Sequence, residues 1–198
     1  MTRDLIDPIV IHPGRRMSVR LTATLATTDP ESFETTPTDQ LVLALEGLPG
    51  DRHAGFTRPA GAREPWYRNG AEIRSGRQLS IVSAEELLEI GYALGLPPIE
   101  PGWMGANLVI EGAPRLSFLP RGTRIFMPSG ASAVVEGQNA PCRHTGRAIA
   151  MQTGRPGDEI TFPKVSRRLR GLVASVEHPG VAKAGSDVTL QLPEQWIY

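Results

Sequence analysis

The sequence predicts a mainly β protein with a few helices, in which about eight strands form a closed or nearly closed β-barrel. Segments that alternate apolar and polar side chains, or that are apolar throughout, recur along its 198 residues and are typical of strands. The chain also contains 21 glycines and 18 prolines, which favour frequent turns over long helices. Because closing a sheet removes its exposed edges, a barrel is the expected arrangement. We expect one domain over residues 1–198, with a core at about 41–192 and an N-terminal strand at 16–26 packed onto it.

Local patterns predict the individual elements. Apolar side chains occupy every second position of residues 16–26, and this period of two predicts a half-buried strand. Ser83 and Glu86 form a capping-box pattern, which predicts a helix over 84–93. Further strands are predicted at 41–45, at 77–82, directly after Asn107, and at 123–127, 131–136, 172–177 and 187–192; a short helix is predicted at 147–152, and loops at 27–39, 56–76 and 154–164.

Charge and composition exclude several classes of protein. The chain has 21 Lys and Arg against 21 Asp and Glu, whereas general nucleic-acid binders carry a basic surplus, so no nucleic-acid partner is expected. A single cysteine cannot build an intramolecular disulfide framework or a multi-cysteine zinc site. No apolar run is long enough to cross a bilayer, and the N-terminus lacks a signal-peptide pattern. We therefore expect no membrane partner and a cytoplasmic location.

The single cysteine, Cys142, lies in a segment rich in positive charge. It follows a predicted strand, and Pro141 fixes the backbone just before it because proline locks φ and has no N–H group. Arg143, His144 and Arg147 come directly after it. A neighbouring cation favours the thiolate, which is the nucleophilic and metal-binding form of cysteine. The segment therefore predicts a reactive cysteine, and the alternative is a small buried hydrophobic residue.

Two other segments carry polar candidates. Residues 47–55 combine glycine and proline turns with Asp51, Arg52 and His53. Glycine amides and an arginine suit a phosphate or an oxyanion, so one interpretation is anion binding and the other is an ordinary Asp–Arg pair in a connection. Asn107 leaves a similar choice, because its side chain could cap a turn or present an amide to a ligand.

Six segments occur in the same order as in a known protein family. They are 47–53 (GLPGDRH), 105–108 (GANL), 119–123 (LPRGT), 141–142 (PC), 170–176 (RGLVASV) and 185–188 (GSDV). In this order they resemble the MOSC domain, the C-terminal module of molybdenum-cofactor sulfurases, which also occurs as stand-alone bacterial proteins. The resemblance extends over about residues 41–192. It implies a MOSC-type β-barrel, in agreement with the strand count.

The resemblance also implies a chemistry centred on Cys142, which would carry sulfur as a persulfide or ligate molybdenum. The implied cofactor is the molybdenum cofactor (molybdopterin), whose phosphate and oxo-metal centre suit arginines and turn amides. His53 or His144 would act as a proton donor. The family is further associated with pyridoxal phosphate binding. The residues assigned to cofactor binding are Gly50, Asp51, Arg52, Arg77, Asn107, Asn139 and Arg143.

Two positions depart from the family pattern. Ala106 stands where the family usually has a glutamate, and residues 138–140 lack the arginine that often precedes the Pro–Cys pair. We expect Arg77, Arg143 or the segment 58–74 to supply the missing positive charge.

Three functions stay open at this point. A sulfur carrier would need an external sulfur donor such as a cysteine desulfurase, because the chain has no room for a pyridoxal-phosphate desulfurase domain. A molybdenum-dependent reductase of N-hydroxylated compounds would need an electron-transfer protein, because the chain has no iron–sulfur cysteines and no flavin motif. The third possibility is a non-enzymatic barrel that binds an anion, with Cys142 merely packed.

Overall fold

The computed structural model describes residues 9–27, 29 and 32–197, and this part of the chain contains twelve strands and three α-helices. The strands are β1 (Arg15–Ala26), β2 (Thr36–Thr38), β3 (Gln40–Leu43), β4 (Thr57–Pro59), β5 (Glu72–Arg74), β6 (Leu79–Ser83), β7 (Leu108–Glu111), β8 (Arg124–Phe126), β9 (Ser132–Gln138), β10 (Leu172–His178), β11 (Gly180–Lys183) and β12 (Ser186–Leu192). The helices are α1 (Ala84–Leu94), α2 (Arg143–Thr153) and α3 (Asp158–Val165). Within the described residues, no helix is both long and apolar enough to span a membrane.

Seven of these strands form a closed barrel. Their order is β12-β8-β9-β10-β6-β7-β1, and the antiparallel pairing of β1 with β12 closes the ring. Neighbouring strands are antiparallel except for β6 and β7, which run parallel. β2 adds to the end of β1, while β3 with β11 and β4 with β5 form two small separate sheets. The predicted mainly β barrel is therefore confirmed.

Strand β1 takes part in two sides of the barrel wall. Residues from Arg15 to Leu21 pair with β12, and residues from Arg20 onward pair with β7. The register shifts between Leu21 and Ala23, and such an irregularity bends a strand. The N-terminal strand, predicted at 16–26, is thus one of the barrel strands.

Alternation along the strands fills the barrel with apolar side chains. In β1, Val19 and Leu21 are buried, while Arg20 between them and Thr22 after them are exposed, as the period of two requires. A second apolar cluster joins the barrel to the helices. Its fully buried members include Ile90 of α1, Ile149 of α2 and Phe162 of α3.

Several segments predicted as loops contain regular structure. The segment 56–76 includes the β4–β5 hairpin, and 154–164 includes most of α3; β2 and β11 also lie where no strand is predicted. Helix α3 forms despite Pro163 near its end. Phe162 is fully buried, so tertiary packing outweighs the weak local preference for a helix.

Helices α2 and α3 pack closely against each other. Helix α2 begins at Arg143, ahead of the helix predicted at 147–152. A Cβ atom at Gly146 would lie 2.4 Å from the carbonyl oxygen of Glu159. The absence of a side chain at Gly146 lets the two backbones approach, a tertiary effect that the local sequence pattern does not report.

Ser83 begins α1 as predicted, but the predicted role of Glu86 is wrong. The Ser83 Oγ accepts a hydrogen bond from the Glu86 N–H at 3.3 Å. The Glu86 carboxylate does not return to the start of the helix. It is fully buried and accepts hydrogen bonds from the N–H and the hydroxyl of Ser117, at 2.9 and 2.8 Å. Burial raises the pKa of Glu86 to about 7 and outweighs the opposing effect of the Ser117 hydrogen bonds.

This buried carboxyl group should make stability depend on pH. Between its ordinary pKa of 4.5 and its folded pKa of about 7, the native protein holds a proton that the unfolded chain has released, so the free energy of unfolding falls as pH rises through this interval. We expect urea unfolding to show that the wild type loses more stability than Glu86→Gln between about pH 5 and about pH 8. Equal losses in the two proteins would contradict this assignment.

Candidate functional site

Cys142 lies directly before α2, at the N-terminal end of the helix. Strand β9 ends at Gln138, and α2 begins at Arg143. Cys142 itself has an extended backbone, with φ of −143° and ψ of 164°, and it is half-buried. The N–H groups and the dipole at the start of a helix favour negative charge, so this position favours a thiolate.

The pKa of the Cys142 thiol reflects several opposing influences. Burial raises it. Hydrogen bonds from the Thr145 hydroxyl, which lies 3.5 Å from Sγ, and from the N–H groups of Thr145 and His144 lower it, as does the charge of Arg63. The net result is a pKa below the ordinary value for cysteine. A larger fraction of the thiol is therefore ionised near neutral pH, which increases its nucleophilic reactivity.

The arginines that follow Cys142 in the sequence are engaged elsewhere. Arg143 and Arg147 both donate to Oε1 of Glu159, at 2.9 and 3.2 Å. Arg63 comes instead from the segment 58–74, one of the sources of positive charge expected from the sequence. Its guanidinium donates to the carbonyl oxygen of Ala140 at 3.0 Å.

A pocket of about 120 Å³ lies beside Cys142. Of the site residues predicted from the sequence, it brings together His53, Arg77, Asn107, Asn139 and Cys142. It does not include Gly50, Asp51, Arg52 or Arg143. The polar lining residues not predicted from the sequence are Ser80, Thr145 and Arg170. The signal for Arg170 was its position at the start of a segment that matches the family, directly before a predicted strand.

Three arginines line this pocket, and none of them pairs with a carboxylate of the described residues. Arg77 donates to Oδ1 of Asn139 at 3.1 Å. Arg170 is buried and donates to the Met104 carbonyl oxygen and, at 3.4 Å, to Oγ of Ser80. Burial lowers the pKa of both Arg77 and Arg170 to about 10, so both remain positively charged at neutral pH.

These arginines make the pocket suited to an anion. Arg170 is buried, and a buried cation without an opposite charge is unfavourable, because it has lost water without gaining an ionic partner. Arg77 is half-buried and Arg63 is exposed, so this cost is greatest at Arg170. Arg63, Arg77 and Arg170 together place this excess positive charge next to Cys142. A negatively charged ligand, or a negatively charged sulfur on Cys142, would compensate it.

The hydroxyl group of Ser80 adds a further donor. Its oxygen accepts hydrogen bonds from Nδ2 of Asn139 at 3.2 Å and from Arg170 at 3.4 Å. With both of its acceptor sites used, the hydroxyl can still donate its own hydrogen. Ser80 lines the pocket, so this hydrogen is available to an anion.

His53 reaches the pocket because Asp51 orients it. Oδ1 of Asp51 lies 2.7 Å from the backbone nitrogen of His53 and 3.1 Å from Nδ1 of its ring. Burial raises the pKa of Asp51. The hydrogen bonds from His53, together with the charges of His53 and Arg52, lower it by more than this, so the net pKa of Asp51 is below its ordinary value. Gly50 supports the turn with a φ of +83°. Arg52 lines a neighbouring pocket instead.

The two asparagines hold the pocket wall in place. Asn107 is buried; its Oδ1 accepts from the Ser80 N–H at 2.9 Å, and its Nδ2 donates to the carbonyl oxygen of Leu25. The amide of Asn107 therefore serves the backbone, as in the turn-capping interpretation, while the residue also lines the pocket. Asn139 is fixed by Arg77, by Ser80 and by its own N–H, which donates to the Gly171 carbonyl oxygen at 2.8 Å.

His144 takes no part in the pocket lining. Its ring packs edge-on against Phe33, with the ring centroids 4.8 Å apart. Across the described part of the chain, no group of three His, Cys, Asp or Glu side chains is arranged to hold a metal ion.

A larger groove of about 630 Å³ adjoins the cysteine pocket. Arg63 and Arg77 line both. Elsewhere in the groove, Arg74 and Arg121 bind the two carboxylate oxygens of Glu136, at 2.6 and 3.1 Å. Because that pair of arginines is neutralised in part, the excess positive charge is concentrated at the end of the groove near Cys142.

The contribution of Thr145 can be tested directly. Thr145→Val keeps the shape of the side chain and removes the hydroxyl, so we expect the pKa of Cys142 to rise. The midpoint of the pH dependence of iodoacetamide alkylation measures this shift. Thr161→Val, which removes an exposed hydroxyl bonded to the Gly157 carbonyl oxygen on α3, is the matched control. An unchanged midpoint in Thr145→Val would rule out this influence on the thiol.

Comparison with known proteins shows which family the chain belongs to. The family model described as MOSC domain matches residues 51–189, a range that contains Cys142 and the three arginines of its pocket. The chain belongs to the MOSC domain family. It is 42% identical over 161 residues to "Putative metal-sulfur cluster biosynthesis proteins YuaD" of Bacillus subtilis (strain 168), which covers 81% of this chain and 84% of that protein.

Solved structures place the chain in the same fold. The crystal structure of the YuaD protein from Bacillus subtilis matches with a TM-score of 0.86 and 38% identity, covering 90% of this chain and 98% of that one. YiiM from Geobacillus stearothermophilus matches with a TM-score of 0.56 at 13% identity, over 91% of this chain and 75% of that one. YiiM from Escherichia coli matches with a TM-score of 0.52 at 19% identity, over 88% of this chain and 69% of that one. The two YiiM structures share the fold, and the predicted MOSC fold is confirmed.

Proposed function

We propose that this MOSC protein is a sulfur carrier in which Cys142 holds the sulfur as a persulfide. The observation that carries the proposal is a half-buried thiol of lowered pKa in a pocket with Arg63, Arg77 and Arg170, none of which pairs with a described carboxylate. A persulfide anion on Cys142 would supply the missing negative charge. The relative YuaD, named for metal-sulfur cluster biosynthesis, supports a role in sulfur handling.

The transfer step is a thiolate exchange. The Cys142 thiolate attacks the terminal sulfur of a donor persulfide, R–S–SH, and the new S–S bond to Cys142 forms as the S–S bond of the donor breaks. The donor leaves as the thiolate R–S⁻, and the transferred sulfur stays on Cys142 as Cys–S–SH, which ionises to Cys–S–S⁻. No net oxidation or reduction occurs. His53, oriented by Asp51, is the proposed group that exchanges protons with the sulfur species.

The proposal requires an external sulfur donor. A cysteine desulfurase is the class of protein that makes a persulfide from cysteine, and we propose such a protein as the partner. The cytoplasm remains the predicted location for this exchange.

A second candidate is a molybdenum-cofactor protein, and the groove of about 630 Å³ beside Cys142 favours it. The residues present fit the cofactor that the family implies. Arg63 and Arg77, which form no ion pair with a described carboxylate, would hold its phosphate, and Cys142 would offer a thiolate ligand. When bound, the cofactor supplies a redox-active metal centre. The reduction of N-hydroxylated compounds would need such a centre and, in addition, an electron-transfer protein.

Substitution of a pocket arginine tests the sulfur-carrier proposal. Protein treated with glutathione persulfide and freed of excess reagent would be assayed for sulfur that cyanide releases as thiocyanate. A hydrogen bond to a charged group contributes about 1.5–3 kcal/mol, so we expect Arg77→Leu to reduce the equilibrium loading of sulfur by about 10-fold or more.

Arg52→Leu is the matched control, because Arg52 lines the neighbouring pocket and not the cysteine pocket, and it should load sulfur as the wild type does. Circular dichroism of all three proteins verifies that they are folded. If Arg77→Leu loads as much sulfur as the wild type, the pocket does not stabilise a persulfide.

Metal analysis separates the two candidates. The wild type and Cys142→Ser would be purified from a host that makes molybdenum cofactor and analysed by mass spectrometry. Stoichiometric molybdenum that is lost in the variant would favour the cofactor-binding candidate. Releasable sulfur on the wild type without molybdenum would favour the sulfur carrier.

A further inference from the structure

A second basic surface adjoins the wall of the cysteine pocket. The turn after α3 carries Arg167, Arg168 and Arg170, which line a pocket of about 400 Å³ together with Pro141 and Pro163. This second pocket shares Asn139, Ala140 and Arg170 with the pocket of Cys142. Among the described residues, no acidic side chain lines it. We call Lys164, Arg167 and Arg168, with this pocket, the arginine turn.

The positive charge of the arginine turn is not neutralised locally. Arg167 and Arg168 are exposed, and neither forms a hydrogen bond or an ion pair with a described residue. The acidic residues of α3 have other partners: Glu159 binds Arg143 and Arg147, and the buried Asp158 lies 3.4 Å from Arg155. In a chain of zero net charge, the arginine turn is a local concentration of cations beside the reactive cysteine.

The backbone holds this turn in an unfavourable conformation. Arg168 has a φ of +66° and is the one non-glycine residue of the described part with positive φ. Such a conformation is uncommon outside glycine and asparagine and carries an energetic cost. It is fixed by hydrogen bonds from the Ser166 hydroxyl to the Phe162 carbonyl oxygen at 2.6 Å and from the Leu169 N–H to the Ser166 carbonyl oxygen at 2.9 Å. The two exposed arginines are thus presented by a defined turn.

We propose that the arginine turn docks an acidic surface of the protein that delivers sulfur to Cys142. The inference rests on the proposed function and adds the site and the charge of the partner. A small persulfide needs no docking site to enter a pocket of about 120 Å³. A protein donor must be held close to a half-buried thiol, and complementary charge both accelerates and orients such an encounter. A basic patch that shares a wall with the cysteine pocket meets this requirement.

Two synthetic peptides that differ in charge test the proposal. One is a polyglutamate peptide that ends in a cysteine persulfide, and the other is a Gly–Ser peptide with the same end. The wild type should take sulfur from the polyglutamate peptide about 10-fold faster or more at low salt, and added salt should remove the difference. The double variant R167E/R168E should lose this advantage while its rates with the Gly–Ser peptide and with glutathione persulfide stay unchanged.

The matched control is R15E/R16E, which makes the same change of charge at exposed positions of β1 and should keep the preference for polyglutamate. Fluorescence anisotropy of a labelled polyglutamate peptide without a persulfide measures docking independently of sulfur transfer. Binding by the wild type and R15E/R16E, but not by R167E/R168E, supports the proposal even if no sulfur reaches Cys142.

Three outcomes would overturn the docking site. They are the absence of a preference for polyglutamate, an equal loss in R15E/R16E, and tighter binding of a DNA oligonucleotide than of polyglutamate at the same arginines. Failure of glutathione persulfide to load Cys142 in the wild type would instead count against the proposed function, so the two failures are distinguishable.

Discussion

Cys142→Ser should abolish persulfide loading and leave the protein folded. Serine has nearly the shape of cysteine, but its hydroxyl is not ionised at neutral pH and forms no persulfide. Its oxygen is also a better hydrogen-bond acceptor than a thiol. At the start of α2, serine is a favoured residue that accepts from the first N–H groups of the helix. We therefore expect complete loss of cyanide-releasable sulfur together with a free energy of unfolding that is unchanged or higher by up to about 1 kcal/mol.

The assay combines thiocyanate release, intact mass and urea unfolding. Wild-type protein treated with glutathione persulfide should gain the mass of one sulfur, and Cys142→Ser should gain none. Cys142→Ala is a second variant that should also lose the sulfur but without the stabilising cap. Sulfur retained at the wild-type level in Cys142→Ser would contradict the sulfur-carrier proposal, because a protein without its single cysteine would then still hold sulfur.

Gly171→Ala should severely destabilise the fold. Gly171 has a φ of +91°, and a Cβ atom there would lie 2.0 Å from the carbonyl oxygen of Ile81. Position 171 directly precedes Leu172, which is paired with Ile81 between β10 and β6. The methyl group cannot be accommodated without separating these two barrel strands. We expect a loss of at least about 3 kcal/mol in the free energy of unfolding, or failure to fold.

The substitution should also damage the site. The Gly171 N–H donates to the Ser117 hydroxyl at 2.8 Å, and its carbonyl oxygen accepts from Asn139 at 2.8 Å, so a shift at this position moves the wall of the cysteine pocket. Gly154→Ala is the matched control. Gly154 has a similarly positive φ of +66°, but nothing lies within 4 Å of a Cβ built there. It should cost only about 1–2 kcal/mol. Equal costs in urea unfolding would show that the contact with Ile81 is not the cause.

Local sequence patterns predict some elements of this fold and miss others. The alternation in residues 16–26 predicts a strand because the period of side chains in a strand is two, and β1 spans Arg15–Ala26. The helix after Ser83 is likewise signalled by its cap. Helix α3 is not signalled, because Pro163 and its weak pattern argue against a helix, and the burial of Phe162 against other elements decides it.

The site shows the same division. The position of Cys142 after Pro141 indicates a reactive thiol, and the structure places that thiol at a helix start with a lowered pKa. The source of the positive charge is different from the one suggested by adjacency in the sequence. Arg143 and Arg147 lie on α2 and donate to Glu159 on the neighbouring helix α3. Packing between the two helices therefore decides their partner, and adjacency to Cys142 in the chain does not.

By itself, the sequence determined that this is a mainly β MOSC protein and singled out Cys142 as the candidate for its chemistry, because strand periodicity, caps and family segments are properties of consecutive residues. Only the tertiary structure decided which cations surround the thiol. Arg63, Arg77 and Arg170 come from three separate parts of the chain, and closure of the barrel brings them to one pocket. None of the three forms an ion pair with a described carboxylate, and this depends on where every described acid lies in space, which no local pattern encodes.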